Sequence, residues 1–463
     1  MNPIQVVVMA AGKGTRMKSK LPKVLQTLAG RPLLQHVIDT ARELGAAQTV
    51  VITGHGADQV EAATVAPDIR FVRQEPQLGT GHAVQQAVPV LPDTGVTVIL
   101  SGDVPLTQAN TLQALLQVCG GDKLALLTIR FDDPTGYGRI LRSADGTGVQ
   151  AIVEQKDASD EQRRIHECYS GIMAVPTAHL KQWLARLDNK NAQQEYYLTD
   201  VVKFAVADGV PVVAQCISDP VQVAGVNSPV QLSELERAYQ LRQAHALMEQ
   251  GVRLADPARF DLRGSLQCGQ DVSIDVNCVF EGSVTLGDDV RIGANCCIAN
   301  VAIGSGAVIH PFTHIDGEKL GASVGAGALI GPFARLRPGA QLGEEVHIGN
   351  FVEVKNSTLA KGAKANHLAY LGDATVGERV NYGAGSITAN YDGANKHRTV
   401  IEADVHVGSN CVLVAPVTIG AGGTVGGGST ITKDTAPGAL SVARGKQVSI
   451  ANWKRPEKLK KPG

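Results

Sequence analysis

The chain has 463 residues, and its 43 Lys and Arg against 44 Asp and Glu give a net charge of about −1. At roughly 100–200 residues per domain this length predicts two to four domains, and the balanced charge does not indicate a nucleic-acid partner. Apolar residues make up 44% of the chain, yet no apolar run approaches the roughly 20 residues of a membrane span.

The eight cysteines include no Cys-x-x-Cys pair, and the chain begins MNPIQVVV, without a basic stretch followed by a long apolar one. These features predict free thiols in a reducing compartment, without a disulfide framework or a secretion signal. We therefore expect a cytoplasmic protein.

Short apolar runs alternate with amphipathic stretches through the first half of the chain. Residues 6–9, 49–52 and 96–100 are predicted strands, and residues 33–44 and 81–90 are predicted helices. This alternation is typical of βαβ units around a mostly parallel sheet. A long helix is then predicted over 228–251, with Ser233 and Glu236 as its capping box and Gly251 just past its end.

A glycine-rich loop follows the first predicted strand and reads AAGKGTRMKSKLPK over residues 10–23. Its glycines let backbone N–H groups approach a ligand, and Lys13, Arg16 and Lys23 supply charge for a polyphosphate. The loop lacks the Gly-Lys-Ser/Thr of a P-loop, and Met17 replaces the third glycine of a dinucleotide-binding loop. The alternative is a glycine turn with solvated lysines.

Two polar residues follow other predicted strands. Asp103 comes just after residues 96–100, and Asn227 follows a later apolar run. Oxygen ligands at the carboxyl ends of parallel strands are suited to hold Mg²⁺ against phosphates. The alternative is that both are turn residues.

The second half of the chain follows a different period. It holds 32 of the 51 glycines, and apolar residues recur every six positions over 274–298, 330–354 and 407–431. A period of six predicts a triangular solenoid of about ten coils with about 18 residues each. Residues 389–399 break the rhythm and are predicted to form a loop on a binding face.

Two cations of the solenoid are spaced by one coil. Arg337 and Lys355 each follow an inward apolar residue, so they should stack about 4.8 Å apart, which favours a bridging anion. Nearby His367 is a candidate general base. Two alternatives stay open: the cations splay into water, or zinc is shared between chains by His310, His314, His347 and His367.

The loop at 10–23 resembles the signature of sugar-1-phosphate nucleotidyltransferases. The chain from residue 9 to about 444 resembles the bacterial bifunctional N-acetylglucosamine-1-phosphate uridyltransferase/glucosamine-1-phosphate N-acetyltransferase family. The supporting motifs are DPTGYGR at 133–139, NAQ at 191–193, EYY at 195–197, DPARF at 256–260, GPFARLRPG at 331–339 and NYDG at 390–393.

The resemblance implies an α/β Rossmann-like nucleotidyltransferase domain, followed by a left-handed parallel β-helix of hexapeptide repeats, in a homotrimer. It implies acetylation of glucosamine-1-phosphate by acetyl-CoA. It also implies Mg²⁺-dependent uridylyl transfer from UTP to the acetylated sugar phosphate, with release of pyrophosphate. The implied domains are 1–227, a helical linker at 228–251, the β-helix at 252–452 and a basic tail at 453–463.

Site residues follow from the same resemblance, position by position. Those for UTP and the UDP-sugar are Ala10, Ala11, Gly12, Lys23, Gln74, Gly79, Thr80, Ser101, Gly102, Asp103, Gly138, Glu154 and Asn227. Asp103 and Asn227 would hold Mg²⁺, Arg16 and Lys23 would act on phosphates, and His367 would be the base of acetyl transfer. The sugar-phosphate residues of the second site would be Arg337, Lys355, Tyr370 and Asn381, and the acetyl-CoA residues Ala384, Asn390, Tyr391, Ser409, Gly427 and Arg444.

One position departs from the family pattern, because Tyr169 stands where many members have an asparagine that contacts the sugar. The seat of the sugar is therefore open at this stage. Two rival functions also remain: the solenoid is a trimerisation arm beside one enzyme, or it is a structural solenoid without chemistry.

Overall fold

The computed structural model describes residues 3–64 and 68–456, so the predicted basic tail lies outside the described residues from 457 onward. The chain divides into two compact units, Met1–Gln240 and Leu241–Gly463. Within the described ranges, no helix combines the length and apolar character that a membrane crossing requires.

A mostly parallel nine-stranded sheet forms the centre of the first unit, as far as the described residues show. The strands of this unit are β1 (Ile4–Met9), β2 (Thr27–Leu28), β3 (Arg31–Pro32), β4 (Gln48–Thr53), β5 (Ile69–Arg73), β6 (Val96–Ser101), β7 (Leu124–Arg130), β8 (Arg139–Arg142), β9 (Val149–Val153), β10 (Glu167–Pro176) and β11 (Val212–Ile217). The α-helices are α1 (Leu33–Glu43), α2 (Ala57–Ala63), α3 (Thr80–Gln85), α4 (Ala109–Cys119), α5 (Asp160–Arg163), α6 (Thr177–Leu184), α7 (Val201–Ala207) and α8 (Pro229–Glu249).

The order of the strands places the site of this unit. β1 lies between β4 and β6 and is parallel to both. After β1 the chain forms β4 on one side of β1, and it later forms β6 on the other side. The loops after β1 and β6 therefore leave a crevice between them, which is where parallel α/β sheets bind ligands. The predicted parallel sheet is confirmed, with β10 as an antiparallel strand between β6 and β7.

Two helix predictions need correction. The helix predicted over 81–90 ends at Gln85, and a separate 3₁₀ turn covers Val88–Val90, because Pro89 has no N–H to continue an α-helix. The long helix α8 is capped by Ser228, whose Oγ accepts the Gln231 N–H at 3.3 Å. Ser233 lies inside α8, and the Glu236 carboxylate accepts the backbone N–H of Ala29 at 2.7 Å instead.

The second unit is a parallel β-solenoid with three faces. One face stacks eleven strands in the described residues: Arg253–Leu254, Ser273–Ile274, Arg291–Ile292, Val308–Ile309, Leu329–Ile330, His347–Asn350, Lys364–His367, Asn381–Tyr382, His406–Val407, Thr424–Val425 and Leu440–Ser441. Three long strands then bend across both other faces, namely Phe260–Cys268, Cys278–Leu286 and Cys297–Ile303.

Beyond Ile303 the other two faces separate into two stacks. One contains His314–Asp316, Arg335–Leu336, Glu353–Lys355, Tyr370–Gly372, Ile387–Ala389, Val412–Val414 and Thr430–Ile431. The other contains Ala322–Val324, Gln341–Leu342, Thr358–Leu359, Ala374–Val376, Thr399–Ile401 and Val417–Ile419.

The residues that recur every six positions form the interior of the solenoid. Ile274, Phe280, Leu286 and Ile292 are each at most 2% exposed, and each such burial is worth roughly 1.5–3 kcal/mol. The residues between Ala389 and Thr399 leave the coil as predicted and form a loop closed by a bridge between Tyr391 and Lys396.

Candidate active sites

The first site is a cavity of about 310 Å³ in the crevice of the parallel sheet. Nine of the residues expected from the sequence line it: Ala10, Ala11, Gly12, Lys23, Gln74, Gly79, Thr80, Ser101 and Asp103. The sequence analysis missed Gln77 and Glu195, which also line it. Gly102 lies next to the lining of this cavity, because its N–H donates at 2.9 Å to the carbonyl of Met9, which is a lining residue.

Close backbone approaches shape the cavity. Gly14 has φ of +58°, and a Cβ there would come within 2.6 Å of the Lys23 Cβ, so this turn requires glycine. Gln74 is buried, and its Nε2 donates to the Gly79 carbonyl at 3.0 Å. The loop and the strand-end residues are therefore held in place before any ligand binds.

Lys23 joins the two expected metal ligands. Its Nζ lies 2.5 Å from Asp103 Oδ2 and 3.1 Å from Asn227 Oδ1. The Val226 N–H donates to the Asp103 backbone carbonyl at 2.9 Å, which fixes the two segments together. Two oxygens that converge on one cation fit a magnesium ion, which typically takes one or two protein oxygens and completes its shell with phosphates and water.

Arg16 lies outside this cluster. It lies exposed on the 3₁₀ turn Thr15–Met17 and does not line the cavity. Among the described residues it has no ion-pair partner, so its guanidinium is available to an incoming anion.

Glu154, one of the two residues expected to hold the sugar, lines a second cavity of about 290 Å³. Burial raises the pKa of the Glu154 carboxyl, and Thr199 Oγ1 donates to it at 3.0 Å. A Cβ at Gly138 would lie 3.8 Å from the Glu154 carboxylate oxygens. Gly138 and Glu154 thus lie close together on one wall.

Tyr169 belongs to the same wall. Its backbone N–H donates to the Gly138 carbonyl at 2.9 Å, and its side chain is 8% exposed. Burial, with a smaller contribution from the Glu154 charge, raises the pKa of the phenol well above its usual value. The phenol hydroxyl has no hydrogen-bond partner in the described part of the chain, an arrangement that costs about 1–3 kcal/mol.

The second site lies on the solenoid around His367. This residue is exposed, and its Nδ1 is 3.2 Å from Asn350 Oδ1 one coil below. A carbonyl oxygen can only accept, so Nδ1 is the donor of this bond and Nε2 is the ring nitrogen left for another partner. The sequence analysis missed Asn350, although its spacing of 17 residues from His367 was a usable signal.

The cations stack as the coil spacing predicts but are not equivalent. Leu336 is paired with Val354, so Arg337 and Lys355 follow in register. Arg337 Nη1 bonds to Glu353 Oε1 at 2.8 Å. Contact with the Lys396 ammonium, followed by burial and Arg337, lowers the pKa of Lys355.

Lys396 is a third cation that the sequence analysis missed. It lies on the loop between Ala389 and Thr399, which returns over the coil. The buried Asp373 anchors this loop, because its carboxylate accepts the side-chain amides of Asn356 and Asn390. Three cations near one spot with only partial compensation favour an anionic ligand.

The other expected residues of the second site fall into two groups. Tyr370 lies on the next face of the same coil as His367, and Asn381 lies on the following coil, where it is paired with Lys364. Arg444 Nη1 donates to the Gly427 carbonyl at 2.8 Å, and the Gly428 N–H donates to the Ser409 carbonyl at 2.8 Å. The Ala384 carbonyl accepts the Asn410 N–H at 2.7 Å, which links this group to the coil below. Tyr391 is exposed on the loop.

The alternative zinc set does not form a cluster within one chain. Over residues 3–64 and 68–456, no three His, Cys, Asp or Glu side chains are arranged to hold a metal ion.

Comparisons with known proteins cover both units. A model of the MobA-like NTP transferase domain matches residues 6–194, bacterial transferase hexapeptide repeats match 321–356, and the hexapeptide repeat of succinyl-transferase matches 283–310 and 398–433.

Two relatives are each called "Bifunctional protein GlmU". The protein from Polaromonas sp. (strain JS666) is 76% identical over 99% of both chains. The protein from Polaromonas naphthalenivorans is 75% identical over 100% of this chain and 99% of its own. A solved UDP-glucose pyrophosphorylase from Acinetobacter baumanii covers 54% of this chain and 99% of its own, with 19% identity and a TM-score of 0.41.

The orphaned hydroxyl of Tyr169 gives a first prediction. Tyr169→Phe should leave the free energy of unfolding unchanged or raise it by about 1 kcal/mol, because it removes a buried group without a partner. If a sugar supplies that partner, the same variant should bind UDP-N-acetylglucosamine more weakly and UTP equally well. Denaturant unfolding and calorimetric titration measure the two effects. A clear loss of stability without ligand would contradict the prediction.

The lowered pKa of Lys355, which lies close to Lys396 and Arg337, gives a second prediction. A lysine with a lowered pKa loses its charge at a lower pH than usual, so binding of glucosamine-1-phosphate should weaken as pH rises through that pKa. Lys396→Gln removes the largest cause of the lowering, so this alkaline fall should move to higher pH. Affinity at neutral pH should drop roughly fivefold, the worth of an exposed ion pair.

The matched control is Lys361→Gln, which removes an exposed lysine paired with Glu344. Titrations of both variants against pH test the prediction, and an unchanged alkaline limb in Lys396→Gln would refute it.

Proposed function

The chain belongs to the bifunctional GlmU family, and on this basis we propose that it catalyses two successive transfers. The first moves an acetyl group from acetyl-CoA to the amine of glucosamine-1-phosphate. The second moves the uridylyl group of UTP to the resulting N-acetylglucosamine-1-phosphate and releases pyrophosphate. The observation that carries this proposal is that each unit holds its own cation-lined site, with the Lys23 cluster in the first and the Arg337–Lys355 cluster in the second.

In the uridylyl step the phosphate of the acceptor sugar attacks the α-phosphorus of UTP. Ala10 to Gly12 with Gln74, Gly79 and Thr80 hold the uracil and ribose, since they line the same cavity. Arg16 and Lys23 neutralise the phosphates, which is the main requirement of phosphoryl transfer. Asp103 and Asn227 would hold Mg²⁺, which supplies further charge stabilisation when bound.

Gly138 and Glu154 hold the acceptor sugar in this proposal. The carboxylate of Glu154 is oriented by Thr199 and accepts well from sugar hydroxyls. Tyr169 lies beside Gly138 on the same wall.

In the acetyl step His367 takes a proton from the attacking amine at Nε2, while Asn350 holds the ring through Nδ1. Arg337 and Lys355 bind the sugar phosphate, and Tyr370 and Asn381 complete its pocket. The acetyl-CoA would lie along Ala384, Asn390, Tyr391, Ser409, Gly427 and Arg444.

We also propose that the protein works as a homotrimer, as the family does, with the acetyl site completed between chains. The proposed domain limits are 1–227 and 252–452 around the linker at 228–251. All eight cysteines are free thiols, which supports a reducing, cytoplasmic location.

The rival in which the solenoid is only a trimerisation arm explains less. It gives no reason for the Asn350–His367 pair or for Asp373, which anchors a loop over crowded cations. Crowded cations lower the stability of the fold, so a solenoid without catalytic function would gain nothing from keeping them.

Asp103→Asn should lower uridylyl transfer at least about 100-fold, the typical cost of removing one group that stabilises transition-state charge. Pyrophosphate release with varied Mg²⁺ measures the loss. Acetyl transfer by the same protein serves as the control and should be unchanged, because its site lies in the other unit.

His367→Ala should lower acetyl transfer by about 10²- to 10⁴-fold, the usual contribution of a general base. Thiol release from acetyl-CoA with glucosamine-1-phosphate measures it, and uridylyl transfer should remain. If either variant abolished both activities while staying folded, the two-site proposal would fail. If the wild-type protein released pyrophosphate but no thiol, the solenoid would be an arm.

A further inference from the structure

A buried arginine without an acidic partner lies next to the wall formed by Gly138 and Glu154. Arg139 is the first residue of β8 and is 1% exposed. Over residues 3–64 and 68–456 it forms no ion pair, and its Nε has no hydrogen-bond partner. A charge that is buried without an opposite charge is unfavourable for folding, so the chain keeps this residue at a cost to its stability.

Arg142, three positions further along β8, has the more usual arrangement. Its Nη2 and Nε donate to the two carboxylate oxygens of Glu167 at 2.5 Å and 3.0 Å. This two-pronged pair neutralises the charge and satisfies the guanidinium. The same short strand therefore carries one arginine held by a carboxylate and one held by neutral oxygens alone.

The neutral acceptors of Arg139 are next to the two proposed sugar-binding residues. Nη1 donates to the backbone carbonyl of Tyr137, which directly precedes Gly138. Nη2 donates to Gln155 Oε1 at 2.7 Å, and Gln155 directly follows Glu154. One guanidinium group thus holds the chain on both sides of the wall.

A further, longer bond extends this contact to α5. Nη2 of Arg139 also lies 3.4 Å from the backbone carbonyl of Arg163, the last residue of that helix. The guanidinium therefore joins three separate segments of the chain.

The side chain of Gln155 carries the contact into the loop before β8. Its Oε1 accepts the backbone N–H of Gly136 at 3.3 Å in addition to the bond from Arg139. Gly136 has φ of +90°, and a Cβ there would meet no atom within 4 Å. Packing therefore does not fix this part of the loop, and its position depends on hydrogen bonds.

Strand pairing explains why one side chain reaches both sides of the wall. β8 and β9 are antiparallel, and Arg139 is paired with Val153. Gly138 comes just before this pair and Glu154 just after it, so both lie at the same end of the hairpin. A planar guanidinium with rigidly placed donors sets the distance between the two segments.

The charge of Arg139 has little effect on the carboxyl of Glu154. Burial raises the pKa of this carboxyl, the bond from Thr199 opposes that change, and Asp157 and Asp200 add to it. Arg139 is not among these main causes. Its contribution to the wall is therefore the placement of backbone and side-chain oxygens.

We propose that Arg139 is a positioning residue for the acceptor sugar of the uridylyl step. Its fork of N–H groups holds Tyr137 and Gln155, so that Gly138 and Glu154 face the sugar at a fixed separation. This inference rests on the proposed function, because it assigns a support to the proposed sugar site. The shape of the guanidinium, and not its charge, is what the site requires.

The test is Arg139→Lys, which keeps the charge but lacks the planar fork. The KM for N-acetylglucosamine-1-phosphate should rise about 10- to 100-fold, as for binding groups that are slightly misplaced. The KM for UTP and the rate of acetyl transfer should be unchanged. Initial rates of pyrophosphate release with each substrate varied in turn measure this difference. A mere loss of folded protein would lower kcat and change neither KM.

The matched control is Arg142→Lys. It removes a guanidinium fork from the same strand, but the bonds of that fork go to Glu167. This variant should keep the wild-type KM for both substrates, even where thermal unfolding shows that it is less stable.

A second variant does not depend on how Arg139→Lys folds. Gln155 is half-buried, and Gln155→Met removes the acceptor shared by Arg139 and Gly136 while keeping a side chain of similar length and no charge. The KM for the sugar phosphate should rise in this variant too, and the KM for UTP should not.

The outcomes separate this inference from the proposed function. A wild-type KM for the sugar phosphate in Arg139→Lys shows that charge is sufficient and overturns the inference, while the proposed function stands. If Arg139→Lys does not fold, Gln155→Met decides in the same way. If the wild-type protein releases no pyrophosphate from UTP and N-acetylglucosamine-1-phosphate, the proposed uridylyl step fails and the inference fails with it.

Discussion

Parallel pairing of strands is the constraint on which both sites depend. It brings together residues far apart in sequence at a fixed spacing and in the same direction. In the first unit it places the ends of β1 and β6 side by side, so the phosphate loop meets Asp103. In the second it stacks residues 17 or 18 positions apart, so Asn350 meets His367 and Arg337 follows Lys355 in register.

The two sites differ in how far their cations are compensated by nearby acceptor groups. In the first, Lys23 lies against a carboxylate and an amide oxygen, so its charge is balanced before substrate arrives. In the second, Glu353 compensates Arg337, but Lys355 faces Lys396 and its pKa is lowered. The first cluster suits a divalent ion that brings its own phosphates, whereas the second favours an anion that relieves direct repulsion.

The two clusters also differ in their scaffolds. The first is half-buried at the carboxyl ends of the central strands, where Gly14 and Gly79 adopt backbone conformations and close contacts that exclude other residues. The second is on the open face of a coil, and its loop is held by the buried Asp373.

Most of the residues that line the first cavity were expected from the resemblance to a known family. Periodicity and residue type alone determined the two-part architecture, the parallel sheet, the coils and the phosphate loop. These features depend on local spacing, which a sequence displays directly. The tertiary structure alone decided where α3 stops, that Ser228 caps α8, that Tyr169 has an orphaned hydroxyl beside Gly138, and that Asn350, Asp373 and Lys396 belong to the second site. Each of these depends on which distant side chain lies opposite, and an uncompensated charge or an unpaired hydroxyl exists only once the chain has brought its neighbours into contact.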